Sequence, residues 1–424
     1  MSSPAVTPPA KSGFRWTICG LLFAATTINY MDRSIIGLLA PMIQKDIGWT
    51  EIDYANLNTA FQEAYAIGLL CVGRVIDVFG TKLSYAAAMI FWSVAAIAHA
   101  ATHTVMGFGI ARFFLGLGES GNFPAAIKAV TEWFPKKERA LATGIFNSGS
   151  NVGAVLAPIV ILPLAAALGW RWTFIIIGSL GFVWLLAWTP LFARPQQSRF
   201  TSAEEKTLIA EGSGADDVAE KKTGWWLLLQ RRQTWAFTLA KFLTDPVWWF
   251  YLLWLPKWLT ARGVDPKGVA LPLVYVYAIA TVGSVGGGVV FGFFQKRGLG
   301  MNAARKTTMA IFALCVLPVL FVSRVQDLWI GSTLIGIALA AHQGWSANLF
   351  TTVSDMFPKR AVGSVVGIGG MAGSVGGMIF FQIAGRILER SGNYALLFTI
   401  CVAAYGAGFV ALQLLAPKLE RAEV

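Results

Sequence analysis

Four charged residues stand inside stretches that are otherwise apolar: Asp32 and Arg33 in the first stretch, Arg112 and Glu119 in the fourth. A charge at the centre of a membrane-spanning helix costs about 2.5–3.5 kcal/mol, so four of them call for mutual compensation or for a function. Arg112 and Glu119 are seven residues apart, about two turns, and share one helix face. Asp32 and Arg33 diverge by about 100° around a helix, so one can face an interior cavity while the other turns to a neighbouring helix; Arg33 is assigned to the cavity. Two chemistries follow. The arginines can neutralise Asp32 and Glu119 inside the protein, or their planar, always-charged forks can bind a carboxylate anion through paired hydrogen bonds. A mixed reading joins them: a side-chain carboxylate that accepts a proton releases its arginine to the anion, and deprotonation restores the pair.

Other polar residues in apolar stretches are weaker candidates. Asn147, Ser150 and Asn151 fall at i, i+3 and i+4, a polar face suited either to sugar hydroxyls or to helix packing. Lys241 and Asp245 are one turn apart and read as a plain ion pair or as part of a cavity wall, with Pro246 expected to bend that helix. Glu63 lies about a third into the second stretch, facing water in an open cavity or adding a third titrating group. Enzymatic chemistry has no foothold: there are three histidines, no HExxH, no nucleophile elbow and no paired Cys or His ligands, so neither a metal nor a cofactor is expected. The glycines of the eighth and eleventh stretches, without a GxxxxGK[ST] pattern, point to close helix packing.

The elements that must carry these residues follow from composition. Of 424 residues 56% are hydrophobic and 13% charged, with a mean hydropathy of +0.60. That excludes an ordinary soluble domain. Runs such as SYAAAMIFWSVAAIAHAA are apolar on every side, so helices, not alternating barrel strands, do the spanning. At about 20 residues per span, the apolar segments cover roughly 14–40, 53–76, 83–102, 105–130, 138–163 and 170–193, then 233–260, 268–295, 305–323, 328–353, 361–386 and 393–416. The expected architecture is an all-α membrane protein of twelve transmembrane helices: a first half over 1–193, a polar linker over 194–232 with one surface helix after a Thr201 or Ser202 cap, and a second half over 233–424. The first stretch is too long and too charged for a cleaved leader and is expected to remain as a span.

The net charge of +12 does not imply nucleic acid, because the basic residues fall in alternate loops. The loops on the side of both termini and the linker hold 22 of the 34 Lys and Arg, against 8 on the other side, which assigns termini and linker to the cytoplasm. Cys19, Cys71, Cys315 and Cys401 all lie in apolar segments without ligand or pairing pattern and are expected to pack inside. WFPKKERALATGIFNSGSNVGAV at 133–155 matches MFPKRAVGSVVGIGGMAGSVGGM at 356–378 at a constant offset of 223, the mark of a duplicated half. Two related halves imply a site at their interface near the midplane, and the same offset places His342 opposite Glu119, as a wall residue or a packing histidine.

Over its whole length the chain resembles the major facilitator superfamily, and within it the anion:cation symporter branch, most closely bacterial hexuronate transporters. The resemblance rests on the loop Gly73-Arg74-Val75-Ile76-Asp77-Val78-Phe79-Gly80-Thr81-Lys82, which departs from the superfamily pattern at Val78 and Thr81. It rests further on Arg112 to Pro124 as an R-F-x-x-G-x-x-E-x-x-x-x-P pattern, on Asn29-Tyr30-Met31-Asp32-Arg33, on the run Phe242 to Tyr251 and on His342 to Asn348. It implies the major facilitator fold with two pseudo-symmetric halves and alternating access. It also implies proton coupling through Asp32 and Glu119, and a site that includes Tyr30 and Tyr65 beside Arg33, Arg112, Asn147, Ser150, Asn151, Asp245 and His342. The expected activity is proton-coupled import of sugar-acid carboxylates, hexuronate or aldonate, by a monomer in the bacterial cytoplasmic membrane. Its partners are then a small organic anion, protons and lipid. An exchanger or facilitator for another organic anion is the alternative.

Overall fold

A computed structural model describes residues 13–212, 225–265, 268–357 and 359–422. Within the motif loop, the side chains of Gly73, Arg74 and Asp77 lie outside what is described, as does part of the linker at 213–224. The described chain is helical: α1 (Phe14–Ile47), α2 (Glu51–Phe79), α3 (Thr81–Ala98), α4 (Val105–Glu119), α5 (Asn122–Trp133), α6 (Lys136–Leu191), α7 (Ala203–Gly212), α8 (Trp225–Leu229), α9 (Arg232–Ala261), α10 (Ala270–Lys296), α11 (Met301–Leu314), α12 (Leu328–Met356), α13 (Lys359–Ser391) and α14 (Tyr394–Leu415).

These give the twelve crossings and two halves read from the sequence, with two differences of detail. The fourth span is not continuous. Glu119 is the last residue of α4, and the chain steps through Ser120 and Gly121 before α5 begins. Pro124 has no N–H to return to the Ser120 carbonyl, and the Ser120 hydroxyl bonds the Leu117 carbonyl at 2.7 Å instead, so the helical ladder is interrupted beside the acid. The fifth and sixth spans, conversely, are two helices that follow one another with no loop between them: the chain turns at Gly169 alone, whose φ of 83° and ψ of 164° are non-helical and whose positive φ a side chain would disfavour. The expected surface helix is α7, and its cap is Ser202, whose hydroxyl accepts the Glu205 N–H at 3.2 Å.

Six segments are long and apolar enough to cross a membrane by composition alone: Thr81–Ala101, Ala142–Leu191, Ala270–Lys296, Met301–Arg324, Ser364–Ser391 and Tyr394–Leu415. Ala142–Leu191 contains two crossings. The spanning helices that fall short of this standard are α1, α2, the α4–α5 pair, α9 and α12, which carry most of the buried charged and polar residues, although Arg305 and Lys306 are buried in α11. In the bundle α1 packs on α6, α2 on α4 and α13, α9 on α13, α14 and α1, and α10 on α12 and α6.

The cysteine expectation is half right. Cys19 and Cys401 are buried, but Cys71 and Cys315 are exposed on the outside of the bundle. Lipid tails are as apolar as the interior, so an apolar residue in a spanning helix carries no signal for inward or outward.

Candidate functional site

In the first half, burial and pairing converge on Arg33. It is 2% exposed, its Nε donates to Glu119 Oε2 at 2.9 Å and its Nη2 lies 2.8 Å from the same oxygen. Four rings crowd the guanidinium, with centroids at 5.3 Å for Tyr30, 4.9 Å for Phe61, 4.8 Å for Tyr65 and 4.7 Å for Trp249. Ring faces carry partial negative charge, so this cage stabilises the cation as it excludes water. Arg112, 1% exposed, lies over Phe61 at 4.4 Å and its Nη2 donates to Asn58 Oδ1 at 3.2 Å. Its Nε and Nη1, Arg33 Nη1 and Glu119 Oε1 have no hydrogen-bond partner. Unused donors on two arginines around one carboxylate are what an anion-binding centre would offer.

Asp32 diverges from Arg33 as helix geometry requires. It is 1% exposed, neither carboxylate oxygen has a hydrogen-bond partner, and Trp92 of α3 is its neighbour. Asn29 is fully buried one turn earlier, with an unpaired amide. The first half thus holds one paired and one unpaired acid within a turn of α1.

Between the halves lies a cavity of about 170 Å³, whose lining includes Tyr30, Asn147, Ser150, Lys241, Asp245, Trp248, Trp249 and His342. Tyr30, Asn147, Ser150, Asp245 and His342 therefore meet at one space, as the sequence reading grouped them. Arg33, Arg112, Glu119, Asp32 and Tyr65 do not line it. Tyr30 and Trp249, stacked at 6.3 Å and 22°, form the partition: both touch the cavity and both cover Arg33. Ser150 donates to the Asn147 carbonyl at 2.7 Å, while Asn151 is committed elsewhere, donating to Ser284 Oγ at 3.2 Å and accepting from Gln343 Nε2 at 3.0 Å. Asn151 thus fastens the halves together. His342 meets the Tyr405 hydroxyl through Nδ1 at 2.6 Å and stacks on Trp248 at 5.7 Å.

At the end of the bundle away from the termini the halves are bonded shut. Lys257 of α9 reaches Glu51 of α2, the Glu51 N–H donates to Glu389 of α13 at 2.8 Å, and the Tyr54 hydroxyl donates to the Leu253 carbonyl at 2.9 Å. Gln382 adds bonds to Asn56 at 2.8 Å and Thr59 at 3.0 Å. Among the described residues, the hydrogen bonds that join α1–α6 to α9–α14 lie at this end or at the level of Asn151. Glu63, for its part, shares an exposed stripe of α2 with Ile67 and Leu70.

The Major Facilitator Superfamily pattern matches residues 22–381. The chain belongs to that superfamily. It is 29% identical over 394 residues to the hexuronate transporter of Escherichia coli strain K12, covering 92% of this chain and 91% of that one. It is 32% identical over 309 residues to the galacturonate transporter of Dickeya chrysanthemi, covering 72% and 90%. Among solved structures it superposes on the inward-open xylose transporter of E. coli with a TM-score of 0.71 at 14% identity, over 95% of each chain. This superfamily protein is a multi-pass membrane transporter, not an enzyme.

Phe61 and Asn58 escaped the sequence reading, and Trp249 and Gln343 entered it only within the runs that carry the resemblance, without a place in the site. Asn58 and Gln343 were visible as amides in apolar runs; Trp249 and Phe61 carry no such signal, because an aromatic in a spanning helix is ordinary.

Proposed function

We propose that this protein is a proton-coupled symporter that carries sugar-acid carboxylates, hexuronates such as galacturonate or glucuronate and aldonates among them, by alternating access. The observation that carries the reading is the buried Arg33–Glu119 pair with unused donors on Arg33 and Arg112 around it. When Glu119 takes a proton, its hold on Arg33 weakens and the guanidinium becomes available to a substrate carboxylate; loss of that proton returns Arg33 to Glu119 and expels the anion. Asp32 is the second proton site. A monoanion accompanied by one proton moves no net charge, whereas with two it gains about 2.3 kcal/mol per 100 mV. Tyr30, Trp249 and Trp248 offer faces on which a pyranose can lie, and Asn147, Ser150 and Gln343 offer polar groups to its hydroxyls.

The relatives named above support the substrate class, and the basic-residue asymmetry supports termini and linker in the cytoplasm of a bacterial inner membrane. We take 1–193 and 233–424 as the moving halves, joined by 194–232, in a protein that functions as a monomer.

The test is uptake of labelled hexuronates and aldonates into proteoliposomes, with the proton gradient and the membrane potential imposed separately. Accumulation that follows the proton gradient and is lost, by about 100-fold or more, in Glu119→Gln and Arg112→Lys is the expected result. Concentrative uptake that persists in both Glu119→Gln and Asp32→Asn would overturn the coupling assignment. Downhill exchange indifferent to protons would place the protein among anion exchangers.

A further inference from the structure

Lys241 and Asp245 are the charged residues that line the cavity, and the mechanism above leaves them without a task. Both are on α9, one turn apart, with Lys241 Nζ 2.5 Å from Asp245 Oδ2 and side chains 7% and 17% exposed. The ammonium also lies 4.2 Å from the centre of the Phe350 ring, another wall of the cavity. Lys241 precedes Trp249 by eight residues, about 12 Å along the helix. The pair therefore lies on the termini side of the Tyr30–Trp249 partition, and Arg33 lies behind it. In this conformation an anion in the cavity meets Lys241 and is screened from Arg33 by two aromatic rings.

We infer that Lys241 takes the substrate's carboxylate in this conformation, and that Asp245 is the resident carboxylate that the substrate displaces. The inference rests on the carboxylate-substrate reading above and deepens it. A lysine suits this task because its compact ammonium has three donors on a flexible stem and tolerates exchange of one oxygen partner for another, without the fixed fork that Arg33 uses toward Glu119. Asp245 has room to be held or released. Gly373 of α13 lies opposite it, and a Cβ there would fall 2.5 Å from Oδ2, so only glycine leaves the carboxylate its present place. Freed of Lys241, Asp245 becomes an acceptor for hydroxyls of the same substrate, while Trp248 and Trp249 supply the apolar faces. The protein then holds two cation–carboxylate pairs in series along the path: an exchangeable one in the second half on the termini side, and the proton-linked one in the first half behind the partition.

The inference gives opposite signs to the two members of one ion pair, which a merely structural pair would not. Binding of D-galacturonate to the full-length purified protein, with D-galactose as the uncharged comparator, can be followed by calorimetry and by quenching of tryptophan fluorescence. Lys241→Gln is expected to weaken galacturonate at least tenfold and Lys241→Arg to keep it within about threefold. Asp245→Asn is expected to tighten it several-fold by removing the competing anion, and Gly373→Ala, which pushes Asp245 aside, to act in the same direction. The Lys241→Gln/Asp245→Asn double variant buries no unpaired charge, so it tests the assignment even if the single lysine variant is poorly folded, and it must also lose at least tenfold. Wild-type affinity in that double variant, or an Asp245→Asn protein that is monodisperse and binds as weakly as Lys241→Gln, overturns the assignment of Lys241 alone. A wild-type protein that binds no member of a hexuronate, aldonate and aldarate panel overturns the substrate reading, and this inference with it.

Discussion

Arg33 and Glu119 meet across two helices of the first half, under four aromatic rings and out of reach of the cavity. Lys241 and Asp245 lie one turn apart on a single helix of the second half and form part of the cavity wall. A pair formed between helices cannot be broken without moving α1 against α4 or supplying a replacement ion, so it reports on how the helices are arranged. A pair formed within one helix opens by side-chain rotation alone, so it can respond to what enters the cavity while the bundle stays still. The two halves hold charge at different depths, and the proposals above give one pair to gating by a proton and the other to first contact with an anion.

The sharpest way to break this comparison is to truncate each cation in turn. Arg33→Met should cost about 3–5 kcal/mol, because Glu119 is left charged and unpaired in a sealed site; thermal unfolding in detergent measures it, and a loss below about 1 kcal/mol would mean that the cage does not isolate the pair. Lys241→Met should cost less, about 1–2 kcal/mol, because the abandoned Asp245 gains cavity water. Equal losses would erase the distinction between sealed and exchangeable pairs. Asp32→Asn should leave stability within about 1 kcal/mol, since one buried polar group replaces another of the same shape beside Trp92, while proton-driven accumulation falls. The smallest expected effect on function is at the closed end. Tyr54→Phe removes one bond to the Leu253 carbonyl, worth about 0.5–1.5 kcal/mol, and should shift the population toward the form open on that side, read as faster labelling of a cysteine introduced at Ala55, which is 1% exposed against Gly385 while this end is closed.

Much of the site was legible because charge in an apolar run is costly and hence conspicuous. Asp32, Arg33, Arg112 and Glu119 announced themselves that way, and helical spacing correctly turned Asp32 away from Arg33. The apolar segments of about 20 residues gave the twelve-span plan, and the repeat supported its division into halves. What spacing cannot supply is the partner across a gap. It placed Arg33 toward the cavity, but the ring that screens it belongs to Trp249 in the other half, and only tertiary packing brings the two together. Asn151, read as a member of a sugar-facing triad, bonds Ser284 and Gln343 for the same reason: the i, i+3, i+4 rule defines a face without saying what covers it. The break after Glu119 was hidden because Ser, Gly and Pro are tolerated inside spanning helices, and the outward cysteines because lipid does not discriminate against them.

The closed end holds one more consequence. Its bonds run through Glu51, Lys257 and Glu389: Glu389 is exposed, whereas the side chains of Glu51 and Lys257 are only 21% and 7% exposed. The aromatic partition at the centre has no comparable contact with electrolyte. Salt on that side of the bundle therefore screens the Glu389 contact more than the buried Lys257–Glu51 pair, so raising the ionic strength there is expected to loosen the closed end only in part.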